Sequence, residues 1–99
     1  MPRQPAVYIL ASRRNGTLYV GVTGNLPRRI WEHKEGLVEG FTKHYGVHQL
    51  VWYALFETMT DAIAQEKRMR RWQRGQKLMV IEAMNPEWRD LYEDLLAGD

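Results

Sequence analysis

Arg29 and His33 lie four residues apart in a segment with helical spacing, so they share one face of a helix. An arginine fork beside an imidazole suits a phosphate that gains charge during a reaction. The plainer reading of the pair is a surface feature, with Arg28 and Glu32 as an exposed ion pair of little value beside it. Glu66 falls in the run Met59, Ala62, Ile63, Glu66 and Met69, which keeps the i, i+3, i+4, i+7 spacing of one helical face. A carboxylate in an apolar stripe is disfavoured unless it meets a cation or a metal ion. Arg70, one turn on, is the partner in the plainer reading. Two tyrosines, Tyr8 and Tyr19, stand in two β-rich runs separated by Asn15-Gly16. Singly, such tyrosines are packing residues. If both pointed to one face, they would offer two hydroxyls near the space left by Gly21.

These residues need elements to position them. Ala6 to Ser12 and Thr17 to Thr23 are β-rich, and Asn-Gly between them is the strongest short hairpin signal. A two-residue turn sets Ser12 against Tyr19 and Tyr8 against Thr23, with the tyrosines on one face and roughly 13 Å apart. A three-residue turn puts them on opposite faces, and the register stays open. Gly24-Asn25 breaks the strand. A helix follows from Leu26, with Pro27 in its first turn, Leu26, Ile30 and Leu37 on its buried stripe, and Gly36 as its stop. Val38 to Val47 reads as a loop with room for one helical turn. Gln49 to Glu57 reads as a third strand buried on both faces. Thr58 or Thr60 caps a helix from about Asp61 to Arg74, Gly75 interrupts it, and Gln76 to Met84 forms another. Pro86 starts a last helix through Leu95, with Trp88, Leu91, Tyr92 and Leu95 as its stripe and a candidate interface. The expectation is one α+β domain over residues 1–99, a small, mainly antiparallel three-stranded sheet flanked by helices in the order β-β-α-β-α-α-α.

Composition narrows the chemistry. The chain has 99 residues, 44% of them hydrophobic and 26% charged, the size and balance of one soluble domain. It has no cysteine, which excludes disulfides, thiolate catalysis and cysteine-ligated zinc. His33, His44 and His48 fit a zinc site poorly, because Gly46 interrupts the i, i+4 pair. The longest apolar run, Leu50 to Phe56, is too short to span a bilayer, and a polar start gives no export signal, so a cytoplasmic location is expected. Net charge is only +2, yet Lys67, Arg68, Arg70, Arg71, Arg74 and Lys77 crowd one stretch. Such clustering suits phosphate binding better than the total does, although it also suits a solvated helix face. Trp31, on the polar side of the first helix, is the tryptophan best placed to stack on a base.

Taken together, the chain resembles the GIY-YIG nuclease superfamily and, within it, the small standalone bacterial members. Val7-Tyr8-Ile9 matches the first half-motif and Tyr19-Val20-Gly21 the second. Arg29 and His33 match the family's helix arginine and its His-or-Tyr position, and Glu66 its metal-binding glutamate. Asn85-Pro86-Glu87-Trp88 is similar to the ending of the small members. The first half-motif lacks its leading glycine, with Ala6-Val7 in its place. The resemblance implies a metal-dependent endonuclease hydrolysing DNA, with RNA not excluded, selecting structure rather than sequence and serving repair, recombination or mobile-element defence. It implies Glu66 as ligand of Mg²⁺ or Mn²⁺, Tyr8 and Tyr19 positioning the attacking water, Arg29 stabilising the phosphate and His33 carrying a proton. Lys67, Arg68, Arg71 and Arg74 would then track the backbone. Asn85 is a further nucleic-acid-binding candidate, with a helix C-cap as its alternative reading. The alternative function is a nucleic-acid-binding module that lacks turnover or needs a protein partner.

Overall fold

Every residue of the first strand is buried, and that strand organises the molecule. The computed structural model describes residues 4–97. Its elements are β1 (Ala6–Ala11), β2 (Leu18–Thr23), α1 (Leu26–Lys34), α2 (Phe41–Tyr45), β3 (Gln49–Leu55), α3 (Met59–Arg71), α4 (Arg74–Met84) and α5 (Tyr92–Ala97). The three strands form one antiparallel sheet in the order β2-β1-β3. The α+β class and the three-stranded antiparallel sheet flanked by helices are as the sequence predicts, with the short α2 filling the place of the expected helical turn. The strand buried on both faces is the central β1, however, and not β3. β3 lies at an edge and its Tyr53 and Ala54 are half-buried, so its apolar run does not mark it as central.

Alternation along β1 divides the core in two. Val7, Ile9 and Ala11 face Ala62 and Met69 of α3, Ile81 of α4 and Trp88. Ala6, Tyr8 and Leu10 face Leu26 and Ile30 of α1, together with Val47, Leu50 and Leu91. Tyr8 thus belongs to the α1 side. Both helices that carry candidate catalytic residues are capped by the residue types their first turns need. Asn25 accepts from the Arg28 amide at the start of α1, and Thr58 accepts from the Asp61 amide at the start of α3. Gly36 ends α1 with φ +72°, but Leu37 beyond it is exposed and leaves the expected stripe.

The helix boundary expected at Gly75 falls earlier. Trp72 and Gln73 leave the helical region, and Gly75 lies within the first turn of α4. Reciprocal hydrogen bonds between Gln73 and Gln76 cap that helix, a glutamine version of the capping box. Pro86 does not start a helix either. It sits in a turn, Trp88 adopts a left-handed φ of 57°, and α5 begins only at Tyr92. Asp90 holds that start: its Oδ1 accepts from the amides of Tyr92 and Leu50, and its other oxygen pairs with Lys34. Trp88 is buried, with its indole N–H on Glu82, which removes it as an interface residue. No helix among the described residues is long and apolar enough to cross a membrane.

Candidate active site

The hairpin register decides where the tyrosines meet. Ser12 pairs with Thr17 across a four-residue loop in which Asn15 takes φ 59° and the Gly16 amide donates to Arg13. The pairing therefore shifts by two residues from the expectation, setting Tyr8 opposite Gly21 and Tyr19 opposite Leu10. Both tyrosines share one face, but they are neighbours rather than some four rungs apart, with ring centroids 6.3 Å from each other. Gly21 makes this possible. A Cβ there would stand 2.4 Å from the Tyr8 hydroxyl and ring, closer than any side chain allows.

His33 completes a triangle, its ring centroid 5.7 Å from Tyr8 and 5.8 Å from Tyr19. Its Nε2 lies 3.0 Å from the Tyr8 hydroxyl and its Nδ1 3.0 Å from the Thr42 hydroxyl, all three groups being buried. α1 brings the histidine, β1 the tyrosine and α2 the threonine. Burial pushes the Tyr8 hydroxyl up to about 12, against the opposing pull of the Arg29 guanidinium. Burial, and then the same arginine cation, pushes His33 down to about 4. Both groups are therefore neutral near pH 7, and the neutral imidazole donates through one nitrogen and accepts through the other. Thr42 escapes a sequence reading because nothing in a polar, glycine-punctuated segment ties it to a histidine nine residues away.

Arg29 stands on the margin of α1, part-buried, donating to Glu32 at 3.1 Å while Arg28 holds the same carboxylate at 3.2 Å. Burial works against its charge, but the Tyr8 hydroxyl and the Glu32 carboxylate outweigh that and strengthen its hold on its proton. It is a fixed cation at the edge of the tyrosine–histidine cluster.

Glu66 arrives from α3, which packs on β2 and β1. Its side chain is buried and pairs with Arg70 one turn on, and the Arg70 guanidinium lies over the Tyr19 ring, 5.8 Å from its centroid. The glutamate is thus connected to the tyrosines through a cation. Arg70 was legible as the partner of Glu66 and as a member of the basic stretch; its place on Tyr19 depends on the crossing of α3 over β2. Among the described residues no three histidine, aspartate or glutamate side chains cluster as a metal cage. Mg²⁺ keeps several waters and takes one or two carboxylates plus substrate oxygens, so a single carboxylate such as Glu66 fits a hard divalent cation where it exchanges its Arg70 partner for the ion.

The remaining candidates separate. Lys67, Arg68 and Arg71 are exposed along α3, with Arg68 leaning on Gln65. Arg74 instead donates to the carbonyls of Asn15 and Gly16 at 2.8 and 2.7 Å and ties the hairpin tip to the start of α4. Asn85 is buried. Its amide nitrogen donates to the carbonyls of Val51 and Arg89 and its oxygen accepts from the Arg89 amide. That geometry is the C-cap alternative extended into a turn clamp, and it leaves no amide hydrogen for a nucleic acid. Phe41 and Lys77, which the sequence did not single out as site residues, line a groove beside Tyr19 together with Arg70.

The geometry has counterparts. Residues 4–79 match the GIY-YIG catalytic domain. The chain is 32% identical over 79 residues to a UPF0213 protein of Bacillus pumilus, covering 80% of this chain and 81% of that one. It is 35% identical over 77 residues to a UPF0213 protein of Clostridium perfringens, covering 78% and 82%. A UPF0213 protein of Oceanobacillus iheyensis is 32% identical over 87 residues, 88% of this chain and the whole of that one. Among solved structures, the solution NMR structure of a UPF0213 protein from Bacillus halodurans aligns with a TM-score of 0.55 at 25% identity, over 88% of this chain and 92% of that one. With both half-motifs, the helix arginine and the buried glutamate inside the matched span, the chain belongs to the GIY-YIG domain family of the nuclease superfamily, among its small bacterial UPF0213 members.

Proposed function

We infer that the protein is a metal-dependent endonuclease hydrolysing phosphodiester bonds in DNA, selecting structure more than sequence. The observation that carries this reading is the convergence of Tyr8, Tyr19, Arg29 and His33 from three elements on one face, with Glu66 linked to them through Arg70. Lys67, Arg68 and Arg71 supply exposed positive charge on the same helix as Glu66, suited to phosphates away from the cut.

In this mechanism Arg29 contacts the scissile phosphate, where its fixed charge opposes the negative charge that builds on the phosphoryl oxygens. Glu66 would hold a divalent ion, Mg²⁺ or Mn²⁺, which when bound would supply further charge neutralisation. Tyr8 is a neutral phenol with an elevated pKa, so it is no ready-made phenolate base. It instead positions the attacking water, accepting a hydrogen bond from it while donating its own to His33 Nε2. That direction requires the Nδ1–H tautomer of His33, with Thr42 Oγ1 as acceptor. Tyr19, partly exposed beside Arg70, orients the same water from the other side.

The Glu66–Arg70 ion pair also favours a second reading, a nucleic-acid-binding module without turnover, because it satisfies the buried carboxylate without any metal. Cleavage of labelled single-stranded, duplex, flap and junction DNA separates the two. The wild type should cut with Mg²⁺ or Mn²⁺ and not with EDTA, and Glu66→Ala should bind but not cut. A wild type that binds the whole panel and cuts none of it, with either metal, supports the second reading.

A further inference from the structure

We propose that the groove beside Tyr19 receives an unpaired nucleobase of the strand being cut, stacked on Phe41, so that the preferred substrate has a single-stranded nucleotide next to the scissile phosphate. This rests on the nuclease reading for the position of the cut. The groove is open, about 320 Å³, and lined by Leu18, Tyr19, Val20, Phe41, Arg70 and Lys77.

Three features select the occupant. Tyr19, Phe41 and Tyr45 form a continuous aromatic run, with Phe41 stacked on Tyr19 at 6.3 Å and 26° and Tyr45 following at 4.8 Å. Phe41 is 46% and Tyr45 55% exposed, although both sit on a five-residue helix one turn apart. Neighbouring aromatic rings left open to water mark a surface that meets another π-system or an apolar partner. The second feature is charge. Lys77 and Arg70, the latter paired with Glu66 behind it, are cations lining the same groove and no carboxylate lines it, so an anionic chain is favoured over an apolar or acid-poor peptide. The third is continuity. Tyr19 is a wall of the groove and also a member of the tyrosine–histidine triangle, which puts a base on Phe41 within a nucleotide or two of the bond attacked. A base inside a duplex has both faces covered by its neighbours and offers none to Phe41. An unpaired base does, and aromatic stacking tolerates any sequence.

The test uses DNA strands carrying 2-aminopurine at one position at a time, either unpaired or within duplex, titrated with the whole protein in EDTA. Stacking on an aromatic ring lowers the fluorescence of this base. Wild type should quench it about twofold or more at one or two adjacent positions, and only where these are unpaired. Phe41→Ala should abolish that local quench and weaken binding by about 5- to 150-fold, the range expected for one lost base–aromatic stack. Phe41→Trp should restore both, and unchanged circular dichroism excludes loss of the fold as the cause. Quenching equal at all positions, quenching in paired DNA, quenching unchanged in Phe41→Ala, or absence of binding overturns the proposal. So does a change of oligomeric state in Phe41→Ala without a change of quenching, which makes the surface a contact between copies. The same strands incubated with Mg²⁺ and Mn²⁺ report on the nuclease reading separately. Cutting without position-specific quenching removes the base site and keeps the nuclease, and position-specific quenching without cutting does the reverse.

Discussion

Gly21 shows how small a change separates the site from an ordinary packed hairpin. The absent side chain is what lets the end of the Tyr8 ring lie against β2. Gly21→Ala forces that ring away from a backbone that cannot yield, and should cost about 1–3 kcal/mol by overpacking. Because the displaced group is the Tyr8 hydroxyl, cleavage should fall by about 100-fold in molecules that remain folded. A variant that cuts at the wild-type rate would show that the hydroxyl has no part in the reaction. His33 makes a different kind of prediction. An unfolded histidine takes up its proton near its ordinary value of 6.5, whereas the folded one does so only at about 4. Between those values the unfolded state binds more protons, so the stability contributed by the neutral ring is whole above pH 6.5 and is lost as pH falls towards 4. The loss should be on the order of 2–3 kcal/mol. Urea unfolding at pH 7 and pH 4.5 should show that loss in wild type and much less of it in His33→Gln, which has no group titrating there.

At the scale of elements, the segment from the end of α4 to α5 is a framework for β3 and the sheet edge. Asn85 joins the end of α4 to Val51 and to the following turn, and Asp90 joins β3 to α5 and α1. Asn85→Ala removes the side-chain partner of the buried Val51 carbonyl and of the part-buried carbonyl and amide of Arg89. It should lower stability by about 2–4 kcal/mol while leaving the affinity for DNA of the folded protein unchanged. Equilibrium unfolding, with binding measured at a temperature where the variant is folded, checks both halves. A large loss of affinity at full stability would return Asn85 to the nucleic-acid interface. The asparagine before a proline was readable as a cap. Its clamp on Arg89 was not, because the turn that makes it depends on burying Trp88 in the core with a left-handed backbone.

For the molecule as a whole, the low net charge conceals an uneven distribution. If Lys67, Arg68 and Arg71 each neutralise a phosphate, replacing any one by Gln should reduce the slope of log affinity against log salt by about 0.7–0.9. The triple variant should lose about three times that, with cutting restored at high protein concentration. Arg74→Gln should behave differently. It should change the salt slope little and speed amide exchange at the hairpin tip, because its charge is spent on the carbonyls of Asn15 and Gly16. An equal slope change for all four residues would place Arg74 on the nucleic acid as well.

By itself the sequence determined what local chemistry controls. β-rich runs and an Asn-Gly turn marked the hairpin, Pro27 after the break at Gly24-Asn25 and a threonine cap at Thr58 or Thr60 marked α1 and α3, and the 3.6-residue repeat placed Arg29 with His33 and Glu66 beside Arg70. The order of the half-motifs, arginine and glutamate was enough to identify the superfamily. Tertiary structure decided whatever depends on groups far apart in the chain. The two-residue shift in register came from a four-residue loop with Asn15 in the left-handed region, a choice among turns that Asn-Gly alone leaves open. The centrality of β1 came from pairing on both its edges, which hydrophobicity cannot distinguish from the apolar run of β3. Thr42 on His33, Arg70 over Tyr19 and Phe41 beside the groove join residues on separate elements, so no periodicity within one element could announce them.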